Sequence, residues 1–273
     1  MQGFKRVSNP IGLIGCGFVG SALQNSFNKK GTEITVFDKY KNIGNLFDLA
    51  HSEIIFLCLP TPFVSDVGFD LSAIEECLSL LPKSDEKIYV LKSTVTPGTT
   101  RTLSNKYGIK IIHNPEFLTQ RTAFEDFDNQ KHIVLGLNNR DYMEEAVISL
   151  YSELYPEAKI SICTSEESET MKLFCNNFYA QKVMIFNEFY NICQKSGINF
   201  NIVKNLMLEN GWINAMHTQV PGPDGQLGYG GACFIKDTMA LLKFAQDIGA
   251  MSKILQSTIE ERNQLRDDMT NII

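Results

Sequence analysis

The sequence predicts an α/β chain in which a doubly wound parallel sheet over residues 1–163 is followed by an all-helical domain over residues 164–273. Three observations predict it. Short apolar runs alternate with stretches of helical periodicity through the first half, the pattern of βα units that pack into a parallel sheet. The first of those runs empties into a glycine-rich turn that opens a helix. From about Ser165 the strand signal stops, and every later periodic stretch is helical.

Ile11-Gly12-Leu13-Ile14 is the first strand, and Gly15-Cys16-Gly17-Phe18-Val19-Gly20 follows it, leading into a segment with helical spacing of apolar residues. Strand, tight turn and helix in this order make a dinucleotide-binding fingerprint and identify the sheet as Rossmann-type. Gly15 allows the turn, Gly17 lets a pyrophosphate approach the backbone, and Gly20 lets helix and strand pack closely. The helix start supplies amides to the phosphates. The second strand, at 33–37, ends in Asp38, 18 residues after Gly20 and near the spacing at which an acid reaches the ribose hydroxyls. Its charge repels a 2′-phosphate and so favours NAD over NADP, a preference that Lys39 weakens.

Further strands are expected at 54–59, 88–91, 109–112, 132–136 and 159–162, with helices at 71–81 and 141–154. Pro60-Thr61-Pro62 breaks the first of these strands, Lys92-Ser93-Thr94-Val95-Thr96-Pro97-Gly98 follows the second, and His113-Asn114-Pro115-Glu116-Phe117-Leu118 follows the third. Three successive strand ends thus put polar residues on the carboxyl rim, where open α/β sheets bind their ligands. Taken singly, the first two segments are explained by turn chemistry, because Pro, Thr and Ser stop strands for local reasons.

In the second half, Glu166 to Lys195 reads as one long helix whose apolar positions Met171, Phe174, Phe178, Val183, Phe186 and Phe189 recur at three-, four- and five-residue steps. Lys172 and Asn176 lie four apart and share a face, although a solvated stripe would look the same. A helix at 199–209 ends at Gly211, a Pro- and Gly-rich loop runs from Trp212 to Leu227, and helices at 237–246 and 252–272 close the chain. Loops of this length inside a compact domain are usually functional or disordered.

Composition narrows the function classes. With 44% hydrophobic residues, 273 residues can bury the core of one large domain or two modest ones. A net charge of −6 without a dense Lys/Arg stripe argues against a nucleic-acid binder that works by neutralising phosphates. Cys16, Cys58, Cys77, Cys163, Cys175, Cys193 and Cys233 form no CxxC pair and have no histidine at zinc-ligand spacing, which points to reduced thiols in a cytosol and to no bound metal. No segment reaches the roughly 18 apolar residues of a bilayer span, and the N-terminus lacks a signal-peptide core. The expectation is a cytoplasmic protein with no membrane and no nucleic-acid partner.

One stretch concentrates reactive groups. Gly228-Tyr229-Gly230-Gly231-Ala232-Cys233-Phe234-Ile235-Lys236-Asp237 places a single thiol between a glycine run and an adjacent cation and carboxylate. Glycines let backbone amides approach a ligand closely, and positive charge and N–H groups stabilise a thiolate. The competing reading is a glycine turn before a helix, with the cysteine a small core hydrophobe.

Taken together, GCGFVG (15–20), PTP (60–62), KSTVTPG (92–98), NPEFL (114–118), ETMKLFCNN (169–177), AQKVMIFNE (180–188) and GYGGACFIKD (228–237) resemble, in order and content, the motifs of the UDP-glucose/GDP-mannose dehydrogenase family of nucleotide-sugar dehydrogenases. The resemblance implies that residues 1–163 form an NAD-binding domain and residues 164–273 a helical central domain for dimerisation and substrate. It implies that NAD is held by Gly15, Gly17, Phe18, Val19, Gly20, Asp38, Pro60, Thr61 and Thr94. The implied chemistry transfers a hydride from the C6 alcohol of a nucleotide sugar to NAD, captures the aldehyde on Cys233 as a thiohemiacetal, oxidises this to a thioester with a second NAD, and hydrolyses it to the uronate. Lys172 and Asn176 would hold the developing oxyanion, and such preorganised donors are often the largest catalytic term. Asp237 would assist deprotonation through a water, Glu116 would act as base for thioester hydrolysis, and Thr94 would position water or the nicotinamide amide. Phe117, Leu118 and Gly230 would line the sugar site with Lys172 and Asn176. The implied partners are a nucleotide sugar, most commonly UDP-glucose, and a second copy of the chain paired through the long helix.

Three departures accompany the resemblance. Thr119-Gln120-Arg121 puts an amide where family members carry a carboxylate, and His217 matches by count an arginine that family members lend to the neighbouring subunit's sugar. Family members also continue into a C-terminal UDP-binding domain, so this sequence reads as a short form or a fragment. Two other functions stay open at this point: a non-catalytic partner that modulates a full-length dehydrogenase, and a single-step NAD-dependent alcohol oxidation.

Overall fold

A computed structural model describes residues 10–266 and residue 268. The chain forms two compact units, one made of Met1–Thr61 and Leu71–Lys172, the other of Pro62–Asp70 and Leu173–Ile273.

The first unit is built on β1 (Ile11–Ile14), α1 (Phe18–Lys29), β2 (Ile34–Phe37) and β3 (Ile54–Leu57). Its sheet has the order β2-β1-β3 at one side and continues through β6 (Ile88–Leu91), β7 (Lys110–His113), β8 (His132–Leu137) and β9 (Lys159–Thr164). β3 and β6 are buried at every position, and their alternate residues feed opposite cores. Ile54, Phe56, Ile88 and Val90 enter one cluster with Leu23, Phe27 and Tyr151, whereas Ile55, Leu57, Tyr89 and Leu91 enter another with Leu49, Leu78 and Leu103. This two-sided burial is what a doubly wound sheet demands of its strands.

The all-parallel expectation needs one correction. Five strands run parallel, but β8 meets β7 antiparallel, at His113 and Gly136, and β9 then pairs parallel to β8. Between β7 and β8 the chain forms only the short helix α4 (Ala123–Asp128), and β8 starts beyond the carboxyl rim and returns downward. A full-length crossover, α5 (Tyr142–Leu154), restores the parallel relation for β9.

Between β6 and β7 lies α3 (Thr99–Tyr107), and its start is capped from a distance. Glu169, on α6 (Ser165–Ser196), accepts from the amides of Gly98 (2.6 Å) and Thr100 (2.7 Å) and from the Thr100 hydroxyl (2.5 Å). Burial raises the Glu169 pKa in spite of these bonds.

In the second unit, a hairpin of β4 (Phe63–Val64) and β5 (Gly68–Phe69) packs on α8 (Ala232–Asp247), with Lys236 Nζ 4.7 Å above the Phe69 ring. Apolar residues of α6 and α8 meet in a cluster of Ala180, Met184, Tyr229 and Ile235, and Phe186, Cys193, Phe200 and Val220 form another with α7 (Phe200–Glu209). The helix expected from Asp237 starts five residues earlier, because Gly231, at φ +79°, ends the glycine run and no breaker follows it. The last helix, α9 (Lys253–Leu265), stops short of the expected Ile272: Arg266 is extended, and residues 267 and 269–272 lie outside the described residues. Among the described residues no helix is long and apolar enough to cross a membrane, and no group of His, Cys, Asp or Glu is arranged to hold a metal ion.

Candidate active site

The carboxyl rim of the first unit is a set of interlocked turns. Gly15 sits at φ +90°, and a side chain on Gly20 would place its Cβ 1.9 Å from the Gly15 carbonyl oxygen, so α1 approaches β1 as closely as backbones can. Among the described residues nothing lies within 4 Å of the position a Gly17 Cβ would take, and Gly17 caps α1 with no side-chain cap hydrogen bond. Phe18 and Val19 flank this open helix start, half-buried. Room above the turn and uncovered leading amides fit a dinucleotide pyrophosphate.

Asp38 has a second task that its spacing did not reveal. Its Oδ2 accepts from the Cys16 amide (2.7 Å), and its Oδ1 accepts from the amides of Tyr40 (3.0 Å) and Lys41 (2.8 Å), tying the end of β2 to the glycine turn. Burial works to raise its pKa, but those amides and the Lys41 charge outweigh burial and hold it below the ordinary range. A carboxylate has about four lone-pair sites, so capacity remains for a ribose hydroxyl.

The next two rims are cross-linked. Thr61 donates its hydroxyl to the Thr94 carbonyl (2.8 Å), and Ser93 donates to the Leu59 carbonyl (2.6 Å), with Pro60 exposed beside them. Beneath lies a buried polar network absent from the expectations. Lys92 Nζ donates to the carbonyl (3.1 Å) and Oδ1 (2.8 Å) of Asn114, Tyr151 donates to the same Oδ1 (2.5 Å), and Asn114 Nδ2 donates to Val134 O (2.8 Å). Burial lowers the Lys92 pKa to about 8, with the Glu116 charge opposing it. His113 donates from Nε2 to Ser93 O (3.3 Å) and accepts at Nδ1 from the Ser168 hydroxyl (2.8 Å), and burial lowers its pKa to about 3, keeping the ring neutral. These bonds fix the strand end that presents Glu116.

Glu116 and Lys172, singled out from separate motifs, are brought together: Lys172 Nζ lies 3.2 Å from Glu116 Oε1, and the Leu118 amide donates to Oε2 at 2.6 Å. Lys172 Nζ also sits 5.4 Å over the Phe117 ring, which stacks on His132, while Leu118 packs against the core.

In the second unit, Asn176 and Asp237 meet. Asn176 Nδ2 donates to Asp237 Oδ2 at 2.6 Å, Lys236 Nζ pairs with Oδ1 at 2.6 Å, and the carboxylate is fully buried. Cys233 is exposed in the first turn of α8, one turn ahead of Asp237 and so on the same helix face. Asn177 and Asn187, which no argument had marked, also hold this region: Asn177 Nδ2 donates to the Asp237 carbonyl (3.1 Å), and Asn187 Oδ1 accepts from the Gly228 amide (2.9 Å). Both lie inside motifs already quoted, which was the available signal. His217 adopts φ +65° and packs between Tyr179 (4.9 Å) and Phe234 (5.4 Å), its pKa lowered by burial and by Lys182.

Known proteins share both parts. Residues 46–155 match the NAD-binding domain of the UDP-glucose/GDP-mannose dehydrogenase family, and residues 166–264 match its central domain. The UDP-glucose 6-dehydrogenase of Rickettsia felis is 30% identical over 248 residues, covering 86% of this chain and 53% of that protein. That of Haloferax volcanii is 29% identical, covering 86% and 58%. The chain therefore spans about half the length of the curated relatives it matches. In fold, it resembles a UDP-glucose dehydrogenase from Pyrobaculum islandicum, with TM-score 0.79 and 23% identity over 94% of this chain and 70% of that one. It also resembles the 3-hydroxyisobutyrate dehydrogenase of Mycobacterium tuberculosis, with TM-score 0.75 and 16% identity over 97% and 96%. Two successive domain matches and a relative at 30% identity over most of its length show that the chain belongs to the UDP-glucose/GDP-mannose dehydrogenase family.

Proposed function

We propose that the protein is an NAD-dependent nucleotide-sugar 6-dehydrogenase that oxidises the C6 alcohol of a UDP-sugar, UDP-glucose first among them, to the uronate. The observation that carries this reading is the exposed Cys233 in the first turn of α8, one turn ahead of a buried carboxylate held by Asn176 and Lys236.

The Gly15–Gly20 turn with Phe18 and Val19, together with Asp38, Pro60, Thr61 and Thr94, would hold NAD, which when bound supplies the hydride acceptor. In the first oxidation the C6 alcohol loses a hydride and a proton, the proton passing through water toward Asp237. The Cys233 thiolate then forms a C–S bond to the aldehyde carbon, and the oxygen takes up negative charge that Lys172 and Asn176 stabilise. With a second NAD exchanged for the NADH formed, loss of a second hydride from C6 to that acceptor would turn the thiohemiacetal into a thioester. Water, its proton taken by Glu116, adds to the carbonyl, the C–S bond breaks, and the thiolate is restored as the uronate leaves. Phe117, Leu118 and Gly230 line the sugar.

Four electrons leave each sugar, so purified protein given NAD and a panel of UDP- and GDP-sugars should form two NADH per sugar consumed. Measurable NAD binding with no NADH from any sugar would sink the reading, and one NADH per sugar would replace it with a single-step oxidation.

We further propose that the working species is a homodimer paired through α6. Phe174, Phe178, Ile185 and Ile192 are 48–64% exposed and advance by 4, 7 and 7 residues, which keeps them within one narrow stripe of the helix. Ile202 and Leu206 are exposed likewise on α7. A stripe of this kind can meet its own copy across a twofold axis. Light scattering should return twice the mass of one chain, and Phe178→Glu should return the mass of one; a monomer before substitution overturns the idea.

A further inference from the structure

We infer that Arg262 and Arg266, at the end of α9, are positioning residues that brace the Gly228–Gly231 strap and through it the turn of α8 carrying Cys233; the inference rests on the role proposed for that thiol.

The strap cannot hold itself. Gly228 and Gly231 take φ +69° and +79°, and three glycines in four residues leave the backbone few restraints of its own. The restraint comes from α9. Arg262 Nε donates to the Tyr229 carbonyl (3.0 Å), and Arg266 Nη1 donates to the Gly228 carbonyl (3.4 Å). The Arg262 guanidinium also lies 5.5 Å from the Tyr229 ring, and the Tyr229 hydroxyl is 3.2 Å from Thr238 Oγ1 on α8. A chain of contacts thus runs from α9 through Tyr229 to the helix that bears the thiol.

Gly230 shows how closely the brace fits. A Cβ there would lie 2.5–2.8 Å from three atoms of the Arg266 guanidinium. The space a side chain at 230 would take is occupied by the arginine.

Both arginines are buried, and their charges are met by Asp268, which pairs with each, and by Asp224, 2.7 Å from Arg266 Nη2 in the Pro- and Gly-rich loop. Buried ion pairs are an inefficient way to gain stability, since apolar residues of equal volume commonly do as well or better. What apolar residues lack is a donor for each of two neighbouring carbonyls of the strap, here one from Arg262 and one from Arg266. Gly231 is the residue that caps α8, so movement of the strap tilts the first turn and misplaces the thiol, and misplacements near 1 Å cost on the order of 100-fold in rate.

The test is the alkylation rate of Cys233 by iodoacetamide against pH, followed by peptide mass spectrometry so that the other six cysteines do not contribute. For Arg266→Ala we expect labelling at pH 7 to slow by roughly threefold or more and the labelling curve to move to higher pH, as the thiolate loses its ordered amides. NAD affinity should stay within about twofold, and Arg266→Lys should recover part of the rate. In the oxidation assay, kcat should fall with little change in KM for NAD. An unchanged labelling curve in a folded Arg266→Ala protein overturns the inference. If that variant fails to fold, Arg266→Lys decides alone, since loss of the guanidinium must still slow labelling. The labelling arm is independent of sugar oxidation, so it stands even where the proposed activity fails.

Discussion

Replacing Cys233 with serine should abolish uronate formation while leaving NAD affinity unchanged. A hydroxyl is a far weaker nucleophile than a thiolate near neutral pH, and the loss should reach about 1,000-fold or more in acid production. Four of the other thiols are poor substitutes: burial pushes the pKa of Cys58 up to about 12 and that of Cys77 to about 11, and burial likewise raises those of Cys16 and Cys163. Quantifying uronate by mass spectrometry beside NAD titration by fluorescence separates chemistry from binding. Acid production near that of the unaltered protein would remove Cys233 from the mechanism.

Gly20→Ala should damage both fold and cofactor binding. The added methyl would begin 1.9 Å from the Gly15 carbonyl oxygen and 3.3 Å from the Cys58 Cβ, and the nearer contact is backbone that cannot rotate away. Overpacking of this sort costs about 1–3 kcal/mol, and the displaced turn should weaken NAD by at least about tenfold. Gly17→Ala divides the two effects, because its methyl would meet no atom within 4 Å. That variant should melt where the unaltered protein melts and still bind NAD more weakly, the methyl standing where a pyrophosphate must approach. NAD affinity in Gly17→Ala equal to that of the unaltered protein would place the pyrophosphate elsewhere.

The parts of the molecule legible in the sequence are those in which one residue type has one explanation. Ile54 to Leu57 are apolar on both faces and had to form a buried strand; the glycine turn and its helix followed from spacing. The reversal of β8 was hidden because the apolar pattern of a buried strand reads the same in either direction, and its direction is fixed only by its pairing with β7. The spacing of Asp38 points only to a ligand, whereas its bonds to Cys16, Tyr40 and Lys41 depend on a turn with no motif. Glu169 looked like one polar position among several on a long helix, and its use as a cap for α3 is visible only in three dimensions. Arg262 and Arg266 sit in a run dense in charge, the pattern of a solvated face, and both proved buried. In each case the pattern recorded the chemistry a residue can do, and tertiary contact chose which of its uses was taken.

The hairpin of β4 and β5 also bears on the order in which the protein assembles. The chain passes from one unit to the other three times, after Thr61, after Asp70 and after Lys172, so no single cut divides it cleanly. During synthesis, every segment of the first unit has been made once Lys172 emerges, but Phe69 still lacks α8, which begins only at Ala232. At about 5–20 residues per second, that gap lasts some 3–12 seconds. Two paired strands of two residues each hold little structure alone in water, so Phe63 and Phe69 must wait for a helix not yet made. The second unit is thus completed by a piece translated long before it, and its maturation is tied to that of its neighbour through the covalent chain.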